Sequence, residues 1–130
     1  DIIMRPEFTA ALFKYMMAYC KTQGWWIPFS DLTHKLRSTK FSYDDWDGFL
    51  KEKLYPCSQV LAIENMNAKT MDKLDTEEMD RLLDFYQKAF QCKCLVIIST
   101  QNNQNLFEKV IGEDLAELLS TKLEVWGKIG

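Results

Sequence analysis

Val60-Leu61-Ala62-Ile63-Glu64-Asn65-Met66 runs four apolar residues into an acid, an amide and a methionine. Strands of parallel sheets are covered on both faces and read as continuous apolar runs, joined by helical crossovers. In open α/β sheets the ligand crevice lies beyond the carboxyl ends of the strands. Glu64 and Asn65 therefore stand where such a fold does its chemistry, provided the flanking segments supply the helices.

They do. Upstream, Ser42 and Asp45 frame the start of a helix whose inner face carries Trp46, Phe49, Leu50 and Leu54, and which ends before Pro56. Trp25 to Phe29 reads as a short strand, and Ser30 or Asp31 is placed to cap a helix carrying Leu32 and Leu36. Still earlier, Phe8, Ala11, Leu12, Tyr15 and Tyr19 recur at helical spacing behind Pro6, and Gly24 closes the run. Downstream, Asp75 and Glu78 form a capping-box pattern ahead of Met79, Leu82, Leu83, Tyr86 and Phe90, one stripe of a long helix. Cys94 to Ile98 follows as a strand. Phe107, Val110, Ile111, Leu115, Leu118 and Leu119 then mark a helix, and Leu123 to Trp126 a last strand. Strands alternating with helices predict right-handed βαβ units in a parallel sheet.

The 130 residues, 47% hydrophobic, suit a single domain over residues 1–130, and a chain opening on Asp1 suggests residues missing upstream. A net charge of -3 sets up no domain-wide positive field, so any nucleic-acid contact must be local. The sequence holds no run of eighteen apolar residues and no secretory leader pattern, which predicts a cytoplasmic protein without membrane contact. Four cysteines without Cys-x-x-Cys knuckles, and the single His34, argue against a metal site. Cys92 and Cys94 should share a strand face, as buried thiols or as a redox pair.

GWWIPFSDLTHKLR, a helix, VLAIENM, a long helix, LVIISTQ and GEDLAELL follow in an order and spacing that resembles the ATPase core of bacterial replicative-helicase loaders and transposon-helper ATPases, within the AAA+ superfamily. The resemblance covers nearly the whole chain. It implies a P-loop NTPase-like (AAA+-like) parallel sheet of about five strands with helices on both faces, Phe29 and Leu32 matching the family's Phe-x-x-Leu helix start. It also implies a nucleotide site, and there the sequence departs from the family. The segment Met4 to Thr9 lacks the glycines and lysine that cradle phosphates; only Thr9 is left to match the magnesium-binding hydroxyl. Glu64 matches the first Walker B acid, but Asn65 stands where the second acid would orient the attacking water. Gln101 falls on the sensor position, and Asp114 and Leu118 fall where the loaders carry their arginine pair.

Four parts of one catalytic machine failing together imply a degenerate site at Thr9, Glu64, Asn65 and Gln101. The expected role is then a non-catalytic interaction domain in replication initiation, helicase loading or clamp loading. Its expected partner is a replicative helicase or other replication protein, together with single-stranded DNA gripped by Lys35, Arg37 and Lys40, and no cofactor. Two rivals stand beside this reading. One is an active ATPase using ATP and magnesium through an atypical or missing P-loop; the other is a scaffold or inhibitory protein unrelated to DNA, anchored by aromatics such as Trp46 or Trp126. Each residue also has a plainer role: Glu64 and Asn65 as strand-end hydrogen-bonders, the basic cluster as a solvated helix face, Trp25 or Trp26 as core rather than base-stacking platforms, and the amides from Gln101 to Asn105 as a loop and cap.

Overall fold

A computed structural model describes residues 2–4, 11–12, 14–15, 18, 24–54, 59–100, 109–122 and 125–126. Its body is a parallel sheet of three five-residue strands, β2 (Gly24–Pro28), β3 (Val60–Glu64) and β4 (Leu95–Ser99). Two short strands, β1 (Ile2–Met4) and β5 (Val125–Trp126), extend it beyond β4 in the order β2-β3-β4-β1-β5. The helices are α1 (Phe29–Ser38), α2 (Tyr43–Leu54), α3 (Ala68–Met71), α4 (Thr76–Gln91) and α5 (Glu113–Lys122). The parallel α/β architecture is the one the alternation predicts.

That strand order dictates where the helices lie. From β1 the chain moves leftward to β2, whereas every later crossover moves rightward, and right-handed crossovers in opposite directions cover opposite faces. Two cores result. Leu12, in the helical stretch between β1 and β2, packs with Trp26 and Leu95 against Val60, Ala62 and Ile97. On the other face Leu61, Ile63, Val96 and Ile98 meet Leu32, Leu36, Trp46, Phe49, Leu82, Phe85, Tyr86, Leu115 and Leu119. Alternate residues of β3 and β4 thus serve separate cores, which is why both strands read as unbroken apolar runs.

Several boundaries differ from the sequence expectation for local reasons. β1 was not anticipated, being only three residues long. Gly24 opens β2 instead of closing a helix, and Phe29 begins α1 and is buried. Pro28 takes the cap position of α1 with no side-chain cap, so neither Ser30 nor Asp31 caps it; Ser30 instead accepts through its carbonyl from Thr33 Oγ1 at 2.9 Å. Gly112, at φ +86°, splits the predicted last helix into a helical stretch at 109–111 and α5. The predicted stripe of α4 is centred slightly wrong: Leu82, Phe85, Tyr86 and Ala89 are buried, with Met79, Leu83 and Phe90 only partly so. Strand β4 starts at Leu95, so strand alternation does not align the thiols. Cys92 caps α4, Lys93 turns at φ +57°, and Cys92 and Cys94 are both buried in the core.

Two features match the pattern closely. Asp45 N–H donates to Ser42 Oγ at 3.3 Å at the head of α2. At the head of α4, Glu78 N–H donates to Asp75 Oδ1 at 2.8 Å and Asp75 N–H to Glu78 Oε1 at 3.1 Å, a complete capping box.

Candidate functional site

The strand order has a switch point between β4 and β1: the chain leaving β1 turns toward β2, the chain leaving β4 toward β5. Crevices beyond the carboxyl ends at such points are where open α/β sheets hold ligands. Met4 of β1 lies in register with Ser99 of β4, and β3 ends alongside at Glu64. Thr9 and Gln101 lie outside the described residues, as do Arg5 to Phe8 of the P-loop-like segment and the rest of the amide run. The described floor is Glu64, Asn65, Ser99 and Thr100.

Glu64 points away from the switch point. Trp26 Nε1 donates to its Oε2 at 2.8 Å, and Trp26 belongs to β2, on the far side of β3 from β4 and β1. Pro28 pairs with Glu64, so Trp26 sits two residues back on the neighbouring strand, within diagonal reach of the same sheet face. Burial of an indole N–H calls for an acceptor, and the carboxylate supplies it.

Asn65 has a backbone reason to be an amide. Its φ of +58° lies in the left-handed region, where Asn is several-fold enriched because its short side chain bonds locally. Ser99 fixes that turn: Asn65 N–H donates to Ser99 Oγ at 2.7 Å and Met66 N–H to Ser99 carbonyl at 2.8 Å. Asn67 Nδ2 donates to Asn65 carbonyl at 3.2 Å, while Asn67 Oδ1 accepts from Thr70 N–H at 2.8 Å and caps α3. Sequence reading missed Ser99 and α3; the only signal was a hydroxyl closing an apolar strand.

The three predicted DNA-contact residues do not converge on one patch. Arg37 Nε donates to Glu78 Oε2 at 3.1 Å, and Lys40 Nζ pairs with Asp75, so both face the acidic head of α4. Arg81 reaches back from α4 to the carbonyls of Thr39 and Lys40, the latter at 2.7 Å, closing the end of α1. Local charge there nearly cancels. Lys35 lies elsewhere, 5.8 Å from the centroid of the Phe49 ring. With Lys53, His34, Asp31, Trp26, Ile27, Pro28 and Phe49 it lines a cleft of about 280 Å³ between α1, α2 and β2.

The aromatic expectations need one correction. Trp46 is core, its Nε1 donating to Asp84 Oδ2 at 3.1 Å, so it cannot anchor a partner; the side chain of Trp126 lies outside the described residues. Among the described residues the exposed aromatics are Tyr15, Trp25, Phe41 and Tyr43, with Phe41 94% exposed. Trp26 is half-buried and Trp25 sits at the surface with Lys53 Nζ 3.9 Å from its ring centroid.

Among the described residues no three His, Cys, Asp or Glu side chains gather as metal ligands, and no helix is long and apolar enough to cross a membrane. Compared with known proteins, the chain matches no family model and no curated relative.

Proposed function

We propose that this chain is an AAA+-like, P-loop NTPase-type domain that no longer hydrolyses ATP and works by binding a protein partner in a DNA transaction such as replication initiation, helicase loading or clamp loading. The observation that carries the reading is the hydrogen bond from Trp26 to Glu64. A first Walker B acid must face the metal at the switch point, whereas this carboxylate is drawn to the β2 side by an indole from the adjacent strand. Asn65 supports the same reading, because its left-handed backbone serves a turn and its amide cannot take a proton from water. Described helices on both faces of a parallel sheet, with a switch point one strand away from β3, support the reading. The replication setting rests on the resemblance alone.

Magnesium-ATP titration by calorimetry, with phosphate release followed in the same samples, tests it. The expected result is no turnover above a buffer blank. Turnover that Glu64→Gln abolishes would establish the rival ATPase. The DNA arm is tested by titrating a labelled oligothymidylate at rising salt; binding that weakens with salt and with loss of Lys35, Arg37 and Lys40 supports it.

A further inference from the structure

We infer that the groove between α4 and α5 docks a basic amphipathic helix of a partner protein. Two cavities, of about 300 and 460 Å³, lie along these helices and share Leu83 and Asp114, so they adjoin as one groove. On α4 its wall runs from Thr76 to Gln87, about 16 Å by helical rise, or some three turns. Helical spacing builds both walls: Met79, Leu83 and Gln87 recur every four residues on α4, and Asp114 and Leu118 stand four apart on α5.

The floor is apolar and still open to water. Leu74, Met79, Leu83, Val110 and Leu118 pack on the core yet are only half-buried. A contiguous apolar strip rimmed by polar residues marks an interaction site, whereas single exposed apolar residues need no explanation. The rim is acidic: Asp75, Asp80, Glu113, Asp114 and Glu117 line the groove, and none of the described lining residues is a lysine or arginine. Part of that charge is already engaged. Lys40 holds Asp75, Glu117 has a contact of its own, and the starts of α4 and α5 each offset about half a charge. Asp80, Glu113 and Asp114 still leave about two negative charges on the groove. Neighbouring cations are turned elsewhere: Arg81 reaches the carbonyls of Thr39 and Lys40, Lys88 pairs with Asp84, and Lys109 is exposed and outside the lining.

Charge and shape together name the occupant. The rim repels nucleic acid and anionic lipid, and among the described residues no three acids gather to hold a metal ion. An extended peptide finds helices on both sides and no strand edge to pair with. A helix satisfies its own backbone and offers a stripe of side chains every three or four residues. Leucines on that stripe meet Met79, Leu83 and Leu118, and lysines or arginines beside it meet Asp80, Glu113 and Asp114. This inference names the partner chemistry for the proposed interaction role and rests on that role only in supposing a protein partner. Helix binding tests the groove; ATP turnover tests the role, so the two can fail separately.

The experiment is fluorescence anisotropy of the whole chain with a labelled peptide of about twelve residues, leucines on one helical stripe and lysines elsewhere. Expected are saturable binding that weakens with salt, and a gain of peptide helicity in circular dichroism on binding. Asp80→Lys, at an exposed position, should raise Kd about tenfold and Asp114→Asn several-fold, whereas Asp44→Asn, an exposed acid on α2 outside the groove, should leave Kd unchanged. Leu83→Ala should also raise Kd about tenfold, and Asp80→Lys keeps the test decisive should Leu83→Ala unfold the chain. The inference is overturned if the peptide does not bind, if the same residues in scrambled order or with glutamate in place of lysine bind as well, or if Asp80→Lys leaves Kd unchanged.

Discussion

Trp26 and Glu64, 38 residues apart in sequence, meet across adjacent parallel strands in a 2.8 Å hydrogen bond from indole to carboxylate. The bond joins the two roles the sequence left open for these residues, a tryptophan in search of an acceptor and an acid in search of a partner. A double-mutant cycle with Trp26→Phe and Glu64→Gln, read by urea denaturation, should give a coupling of about 1 kcal/mol. Additive single effects would remove the bond from the account of the strand end.

The left-handed turn at Asn65 yields a prediction that separates two substitutions. Asn65→Glu should cost roughly 1 kcal/mol, because a longer side chain loses the local bonding that makes φ +58° tolerable. Asn65→Gly should be close to neutral, relief of backbone strain being offset by the entropy glycine loses on folding. If Asn65→Glu instead stabilises the protein and brings ATP turnover with it, the amide is a catalytic lesion rather than a turn residue.

Ser99 is fully buried and holds the same turn from β4. Ser99→Ala leaves the Asn65 N–H without its acceptor and should cost about 1–3 kcal/mol in denaturant-induced unfolding. Hydrogen exchange at Asn65 should quicken more than at the strand centre residue Ala62. Equal protection at Asn65 before and after substitution would mean that Ser99 does not secure it.

The Lys40–Asp75 pair sets the pH limits of the α1–α4 junction. Asp75 is held below its usual 3.8, first by the hydrogen bond from Lys40 and next by the Glu78 N–H of the capping box. A depressed carboxyl contributes stability above its unfolded value and loses it as pH falls through the lower folded value. Lys40 is raised above 10.5, chiefly by its hydrogen bond to Asp75, and its contribution is complete below that value and lost as pH rises through the folded one. Asp75→Asn should therefore flatten the profile of Tm against pH at both extremes and lower Tm between them. A variant profile parallel to the original at both ends would refute the pairing.

Burial raises the Tyr86 phenol far above its ordinary 10.0, and its hydroxyl donates to Met66 Sδ at 3.0 Å. With a raised folded value, the neutral phenol's contribution is complete below the unfolded value and lost as pH climbs beyond it. Alkaline titration should show one phenolate appearing only as helical circular dichroism collapses, and Tyr86→Phe should remove that step. Ionisation of all tyrosines before unfolding would contradict the buried position.

What could be read along the chain was whatever depends on neighbours a few residues away. The capping box at Asp75 and Glu78 and the Ser42 cap closed as written because each joins residues three apart, a distance any helix start enforces. The α4 stripe differs from the expectation because the face packed on the sheet is centred on Leu82, Phe85, Tyr86 and Ala89, and Phe85 fell inside it. The DNA-contact cluster looked coherent in sequence, yet Lys35 and Arg37 lie on α1, Lys40 lies in the turn beyond it, and the three face different neighbours.

Periodicity in the sequence by itself determined that strands and helices alternate, and from that a parallel α/β sheet follows through the fixed hand of its crossovers. Only the tertiary structure decided that β2 lies beside β3 in the register that gives Glu64 to Trp26, that α4 answers Arg37 and Lys40, and that Lys35 and Lys53 line one cleft between α1, α2 and β2. The reason is physical: secondary structure is set by dihedral preference and local burial, whereas a charged or polar side chain takes its role from whichever distant group the packing of the sheet brings within hydrogen-bonding reach.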